Sequence, residues 1–162
     1  MLIGLAGFSR VGKDALCKEL GWYRVAFADA LKKFCQPLFD EIGIDQFDAA
    51  QKEIARPVLV AVGKAARQID TNFWIDRVYL PIGVNVCVTD VRYVNEVKLI
   101  HQNHGKVFLV QRPGYGPAND EEERSFAEIN ETYPSLPVIH NDGTIEWAAR
   151  QVLDSLFWKP AA

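Results

Sequence analysis

The stretch "GLAGFSRVGKDAL", Gly4 to Leu16, decides how the rest of this chain is read. A short apolar run, Leu2 to Ala6, leads into Gly7-Phe8-Ser9-Arg10-Val11-Gly12-Lys13, and residues of helical composition follow. An apolar strand, a Gly-rich turn ending in Gly-Lys and then a helix is the arrangement of a phosphate-binding loop. The glycines allow backbone shapes that a Cβ forbids. Successive N–H groups at the start of the helix then meet an anion, and the lysine reaches its outer oxygens. Ser9, Arg10, Val11, Gly12, Lys13, Asp14 and Ala15 are therefore the expected nucleotide-phosphate residues. Asp14 stands where this pattern usually has Ser or Thr, the hydroxyl that meets Mg²⁺. A carboxylate also offers oxygen to a hard cation, directly or through water.

The rest of the sequence supports a parallel α/β sheet. Tyr23 to Ala28, Val84 to Asp90, "KVFLVQR" from Lys106 and "PVIH" before Asn141 read as further strands. Between them lie a mainly helical tract from Asp29 to about Tyr79, with breaks at Pro37, Gly43, Pro57 and Gly63, and helices over 94–103 and 145–157. Alternation of this kind predicts a sheet with helices on both faces. Ligands of such sheets bind beyond the carboxyl ends of the strands. Lys13, Asp29, Asp90, Arg92, Arg112 and Asn141 all fall near those ends. Asp90 is the natural second metal-side group beside Asp14. From Pro113 to about Tyr133 a polar stretch containing "DEEER" interrupts the alternation and reads as a lid, its acid run as a solvated face.

With 162 residues the chain suits one domain with a real core, and its net charge of −3 gives no field for nucleic acid or an anionic membrane. Three scattered cysteines suit reduced thiols. No apolar run is long enough to cross a bilayer, so a soluble cytoplasmic protein is expected. His101, His104 and His140 show no ligand spacing, and no N-K-x-D guanine-reading segment occurs.

"GFSRVGKD", "FADALKKF", "RQIDTNFWID" and "DVRYVNE" together resemble the deoxynucleoside monophosphate kinases of tailed bacteriophages, P-loop enzymes whose loop ends in Gly-Lys-Asp. The resemblance runs in order along nearly the whole chain, through to the closing Asn141-Asp142-Gly143-Thr144. Three departures are evident. Ala15 replaces a usual Thr, Gly63-Lys64 replaces a Gly-Thr, and the His-x-Ser-Glu-like stretch is altered in "EEERSFAEINE".

The resemblance implies a three-layer P-loop NTPase fold with a five-stranded parallel sheet. Its core would be 1–28, 80–112 and 136–160, its helical acceptor-binding insert 29–79 and its lid 113–135. It implies transfer of the γ-phosphoryl group of ATP, with Mg²⁺, to a deoxynucleoside monophosphate. Lys13, Arg92, Arg67 and Asp29 would be the catalytic set. Lys32, Gly63, Lys64, Arg67, Trp74, Asp90, Arg92 and Glu96 would form the acceptor site, with Trp74 stacking on the base or walling the sugar. Arg forks match phosphate oxygens bidentately, which favours Arg67 and Arg92, with Arg56 a weaker candidate. Arg112 and Arg124 would reach the transferred group from the lid, and Asp14 and Asp90 would face the metal. The 141–144 turn would lie near the adenine, or simply cap the last helix through Thr144. A homodimer through the insert is compatible with the family. Phosphomevalonate kinases, dephospho-coenzyme A kinases and a nucleotide-sensing module with little turnover are the rival readings.

Overall fold

The computed structural model describes residues 1–48 and 50–157. Five strands, β1 (Leu2–Ala6), β2 (Tyr23–Val25), β3 (Val86–Val91), β4 (Lys106–Gln111) and β5 (Val138–His140), form one sheet in the order β2-β3-β1-β4-β5. Every neighbouring pair is parallel. The central strand β1 is a run of apolar residues and glycine, as a strand covered on both faces requires. Helices α1 (Lys13–Glu19) and α6 (Ile145–Phe157) pack together in one layer, and α4 (Val94–Gln102) and α5 (Asp120–Thr132) pack together in the other. Ile3, Leu5, Leu16, Phe108, Ile139 and Val152 fill the core beneath α1 and α6. The α/β class with a five-stranded parallel sheet is thus what the sequence predicts.

The described residues separate into two compact units, one of 1–25 together with 80–157 and the other Ala26–Tyr79. The second unit is helical, with α2 (Phe27–Glu41), α3 (Lys52–Ile69) and a short 3-10 turn at Ile75–Arg77. Phe39, Cys35 and Ala55 make its core, with Leu31, Val58 and Val62 against them.

Several sequence expectations are corrected. β2 ends at Val25, and "AFA" turns into α2 at Phe27, so Asp29 sits in the first turn of a helix, where a negative charge meets the positive dipole end. Pro37 and Pro57 lie inside α2 and α3, and Gly63 lies inside α3, rather than breaking them. Both helices are strongly amphipathic, and burial of one apolar face outweighs the hydrogen bond that each proline removes. Asp90 lies within β3, one residue before its end. The lid stretch contains the thirteen-residue helix α5, with Asn119 as its N-cap. The expected core segment 136–160 runs beyond the described residues at 158–160.

Candidate functional site

The loop between β1 and α1 has the backbone that phosphate binding requires. Gly7 has φ +145°, and a Cβ there would run into the carbonyl oxygen of Val110. Gly12, with φ +98°, is the left-handed residue that opens α1, and a Cβ there would lie 2.5 Å from the side-chain nitrogen of Asn141. Arg10 is left-handed as well, at φ 68°, a costly shape for a residue with a side chain. No side chain caps the N-terminus of α1, which leaves that end of the helix to an incoming anion.

Lys13 is almost wholly buried, and its ammonium donates to the carbonyls of Gly7 at 2.6 Å and Phe8 at 2.7 Å. Burial, helped by the charge of nearby Arg92, lowers its pKa to about 8. Such a lysine gains by meeting an anion, because the phosphate replaces the lost hydration of its charge.

Asp14 does not stand alone. Its Oδ1 accepts from Arg24 Nε at 2.9 Å and from the Thr89 hydroxyl at 2.8 Å. Burial alone would raise its pKa, but these two hydrogen bonds, with the charges of Arg24 and Lys13, outweigh it and hold the carboxyl below its ordinary range. Thr89 shares a face of β3 with Cys87, which packs in the core with Leu16 and Cys17 of α1, and β3 is irregular just there. Gly4 pairs with Val88 and Ala6 with Val91, so β3 carries one extra residue at Thr89–Asp90, and a bulge of this kind re-aims side chains. The hydroxyl missing from position 14 is therefore present beside it. Asp14, Thr89 and Asp90 supply an all-oxygen donor set, which fits a hard cation such as Mg²⁺. No group of three or more His, Cys, Asp or Glu among the described residues is arranged to hold a metal ion, so the binding set would have to include oxygens of the nucleotide.

Arg92 follows β3, and its backbone N–H donates to Glu96 Oε2 at 2.7 Å. The same oxygen accepts from Tyr93 N–H at 3.1 Å, and Glu96 is buried. Glu96 therefore closes the start of α4 in a capping box instead of facing a base or sugar. The guanidinium of Arg92 lies 3.7 Å from Glu122 Oε1 on α5.

Glu122 is the residue at this loop that the sequence reading missed. The "DEEER" run reads as solvated, yet Glu122 is buried and its Oε1 accepts from the Ser9 N–H at 3.0 Å and the Ser9 hydroxyl at 2.8 Å. Burial would raise its pKa, but donors from Ala118 and Ser9 and the charge of Arg92 outweigh that and hold it ionised below its ordinary range.

A cavity of about 290 Å³ adjoins the loop. Phe8 and Val11 line it from the loop side, Arg112 and Tyr115 from beyond β4, and His140 and Asp142 from beyond β5. Arg112 stacks its guanidinium over Tyr115 at 4.8 Å, so it faces this cavity. Asn141, between the last two lining residues, donates from its side chain to the Val11 carbonyl at 2.8 Å and is buried. Thr144 caps α6 by accepting from Trp147 N–H at 3.3 Å. Arg124 is exposed and folds back onto the Asp120 carbonyl at 3.1 Å.

The remaining expected residues, Asp29, Lys32, Gly63, Lys64, Arg67 and Trp74, belong to the helical unit. There the Gly63 carbonyl accepts from Trp74 Nε1 at 3.1 Å and from Arg67 at 3.3 Å, which gathers three of them. Trp74 is only 2% exposed and packs edge-on against Phe34 and Phe73, so it is a core residue of that unit with no free face for a base. Arg56 is exposed beside Glu53 at 3.7 Å.

The chain matches no protein-family profile. It is 31% identical over 102 residues to Uncharacterized protein ORF77 of Ictalurid herpesvirus 1 (strain Auburn), covering 59% of this chain and 45% of that one. It is 27% identical over 152 residues to Uncharacterized protein ORF76 of the same virus, covering 89% and 62%. This chain thus spans roughly half the length of these curated relatives, 45% and 62%. Among solved structures, shikimate kinase from Aquifex aeolicus vf5 aligns at 17% identity and TM-score 0.45, covering 96% of each chain. TT1252 from Thermus thermophilus aligns at 16% identity and TM-score 0.49, covering 96% of this chain and 95% of that one. Dephospho-CoA kinase from Campylobacter jejuni aligns at 13% identity and TM-score 0.42, covering 96% of each chain.

Proposed function

We propose that this chain is an ATP-dependent small-molecule kinase, and that its acceptor is a deoxynucleoside monophosphate. The observation that carries the kinase reading is the loop itself. A buried Lys13 of lowered pKa, a left-handed Gly12 and the hydrogen-bonded oxygen pair Asp14–Thr89 meet at one end of a parallel sheet. Phosphoryl transfer asks a protein mainly for positioning and for positive charge around the moving group. Lys13 and the loop amides would hold the donor phosphates, and the cavity between Arg112 and Asp142 would take the base of ATP. Mg²⁺, facing Asp14, Thr89 and Asp90, would neutralise charge on the phosphates. Arg92 would align an acceptor phosphate, and within the helical unit Lys32 and Arg67 are the cations with the charge to bind one. The acceptor oxygen is already anionic, so no strong general base is required.

The burial of Trp74 favours keeping a second reading. Without a free indole face, the acceptor site loses the feature that most favours a nucleobase. A phosphorylated acceptor of another kind, such as phosphomevalonate or dephospho-coenzyme A, fits the same loop chemistry.

The test is coupled ADP release with ATP and Mg²⁺ against deoxy- and ribonucleoside monophosphates, phosphomevalonate and dephospho-coenzyme A. Turnover restricted to deoxynucleoside monophosphates supports the first reading, and turnover with a non-nucleotide acceptor alone replaces it with the second. ATP binding without any acceptor-dependent release makes the chain a sensor and rejects both.

A further inference from the structure

The donors around the loop already hold an anion, and that anion comes from the chain. Ser9 gives both its N–H and its hydroxyl to Glu122 Oε1, at 3.0 and 2.8 Å, and Arg92 stands 3.7 Å from the same oxygen. The Glu122 side chain is 5% exposed. Its two oxygens have separate duties. Oε2 accepts from Ala118 N–H at 2.7 Å and, with Asn119 accepting from Glu122 N–H at 2.9 Å, closes the first turn of α5. Oε1 is left for the loop. One helical turn further along the same face, the ring of Phe126 lies 4.7 Å from that of Phe8. On the other side, Tyr93 donates its hydroxyl to Glu121 at 2.9 Å. Two adjacent carboxylates and one aromatic ring thus fasten α5 to the loop and to the β3–α4 junction.

We infer that Glu122 is an internal anion that holds α5 on the loop in the ligand-free protein, and that a ligand phosphate binding at Ser9 and Arg92 displaces it. The inference rests on reading Gly7 to Lys13 as a phosphate loop and Arg92 as a phosphate ligand, whatever the identity of the acceptor. A carboxylate and a phosphate cannot both take the Ser9 donors, and between water-poor walls their charges repel strongly. Ligand binding therefore breaks the Glu122–Ser9 contact and, through it, loosens the start of α5. The apparent affinity for phosphate is lower than the bare loop would give, because part of the binding energy opens the latch. The lid helix begins fastened and is released by its ligand.

The experiment uses the whole chain and inorganic pyrophosphate, titrated calorimetrically into the wild type, Glu122→Gln, Glu121→Gln and Lys13→Ala. Glu122→Gln is expected to bind pyrophosphate about tenfold more tightly than the wild type, the latch having lost its charge. Glu121→Gln, which removes the same charge one residue away, is expected to stay within about twofold. In the wild type, pyrophosphate is expected to speed amide hydrogen exchange across 118–126. Equal or weaker binding by Glu122→Gln, with the wild type binding and Lys13→Ala not, leaves the loop reading standing and overturns the latch. Absence of binding by both the wild type and Glu122→Gln removes the loop reading and the latch with it. Should Glu122→Gln fail to fold, the wild-type exchange experiment decides alone, and unchanged or slowed exchange across 118–126 overturns the inference.

Discussion

The side-chain amide of Asn141 donates to the carbonyl oxygen of Val11 at 2.8 Å, across 130 residues of chain. It joins the turn after β5 to the middle of the β1–α1 loop and leans against Gly12. A loop that carries left-handed residues at Arg10 and Gly12 needs such a brace to keep one shape. Asn141→Ala would leave the Val11 carbonyl, inside the protein, without its donor, at a cost of about 1–3 kcal/mol. The expected outcome is a lowered midpoint in urea unfolding together with weaker ATP binding. Weaker binding at unchanged stability would show that Asn141 touches the nucleotide and does not merely brace the loop.

Gly12→Ala tests the loop from the other side. Its φ of +98° disfavours any Cβ, and the new methyl would press on the Asn141 nitrogen 2.5 Å away. The loop must then change shape, while the sheet beneath has no reason to do so. Loss of ADP binding with a retained far-ultraviolet circular dichroism spectrum is expected. Retained binding would remove the loop as the phosphate site.

The sheet and the loop were legible in the sequence because each rests on local patterns. Apolar runs ended by glycines gave β1 and β4 within a residue, and Gly-Lys after a strand marked the loop that opens α1. The rest depends on contacts between distant segments. Thr89 sits inside a Val-rich strand, and nothing in that local pattern shows that its hydroxyl meets Asp14 on a different element. Glu122 belongs to an acid run, and its burial follows from the docking of α5 on Phe8 and Ser9. Its capping function did leave a signal, since Asn119 followed three residues later by Glu122 is a helix-start pattern. Trp74 misled because an aromatic residue in a matching motif says nothing about which way its ring faces.

The Asp14–Thr89 pair predicts a particular metal response. Thr89→Val removes a hydrogen bond that orients Asp14 without touching the loop, and changes to such supporting groups cost about 10–100-fold in metal affinity or activity. The expected result is that half-maximal ADP release needs about tenfold more Mg²⁺ in Thr89→Val than in the wild type. Asp14→Ala should need more still, because it also leaves the Arg24 charge facing the site. An unchanged Mg²⁺ requirement in both variants would take Asp14 out of the metal site and leave it as the partner of Arg24.

Lys13 makes the pH dependence specific. Burial and Arg92 lower its pKa from 10.5 to about 8 in the folded protein. Between about 8 and 10.5 the unfolded chain therefore binds the extra proton, so this residue makes stability rise with pH across that window. Below about 8 both states carry the proton, and the cost of burying the charge is present in full. Ligand binding has the opposite slope. A phosphate needs the charged lysine, so ADP affinity should be flat below pH 8 and fall about tenfold per unit above it. Binding above that pH must then take up a proton, which calorimetry in buffers of different ionisation enthalpy measures directly. Lys13→Ala should abolish both the uptake and the stability slope. Proton release on ADP binding at pH 8.5, or affinity independent of pH up to 9.5, would mean that Lys13 is fully charged in the free protein and that its burial does not govern the site.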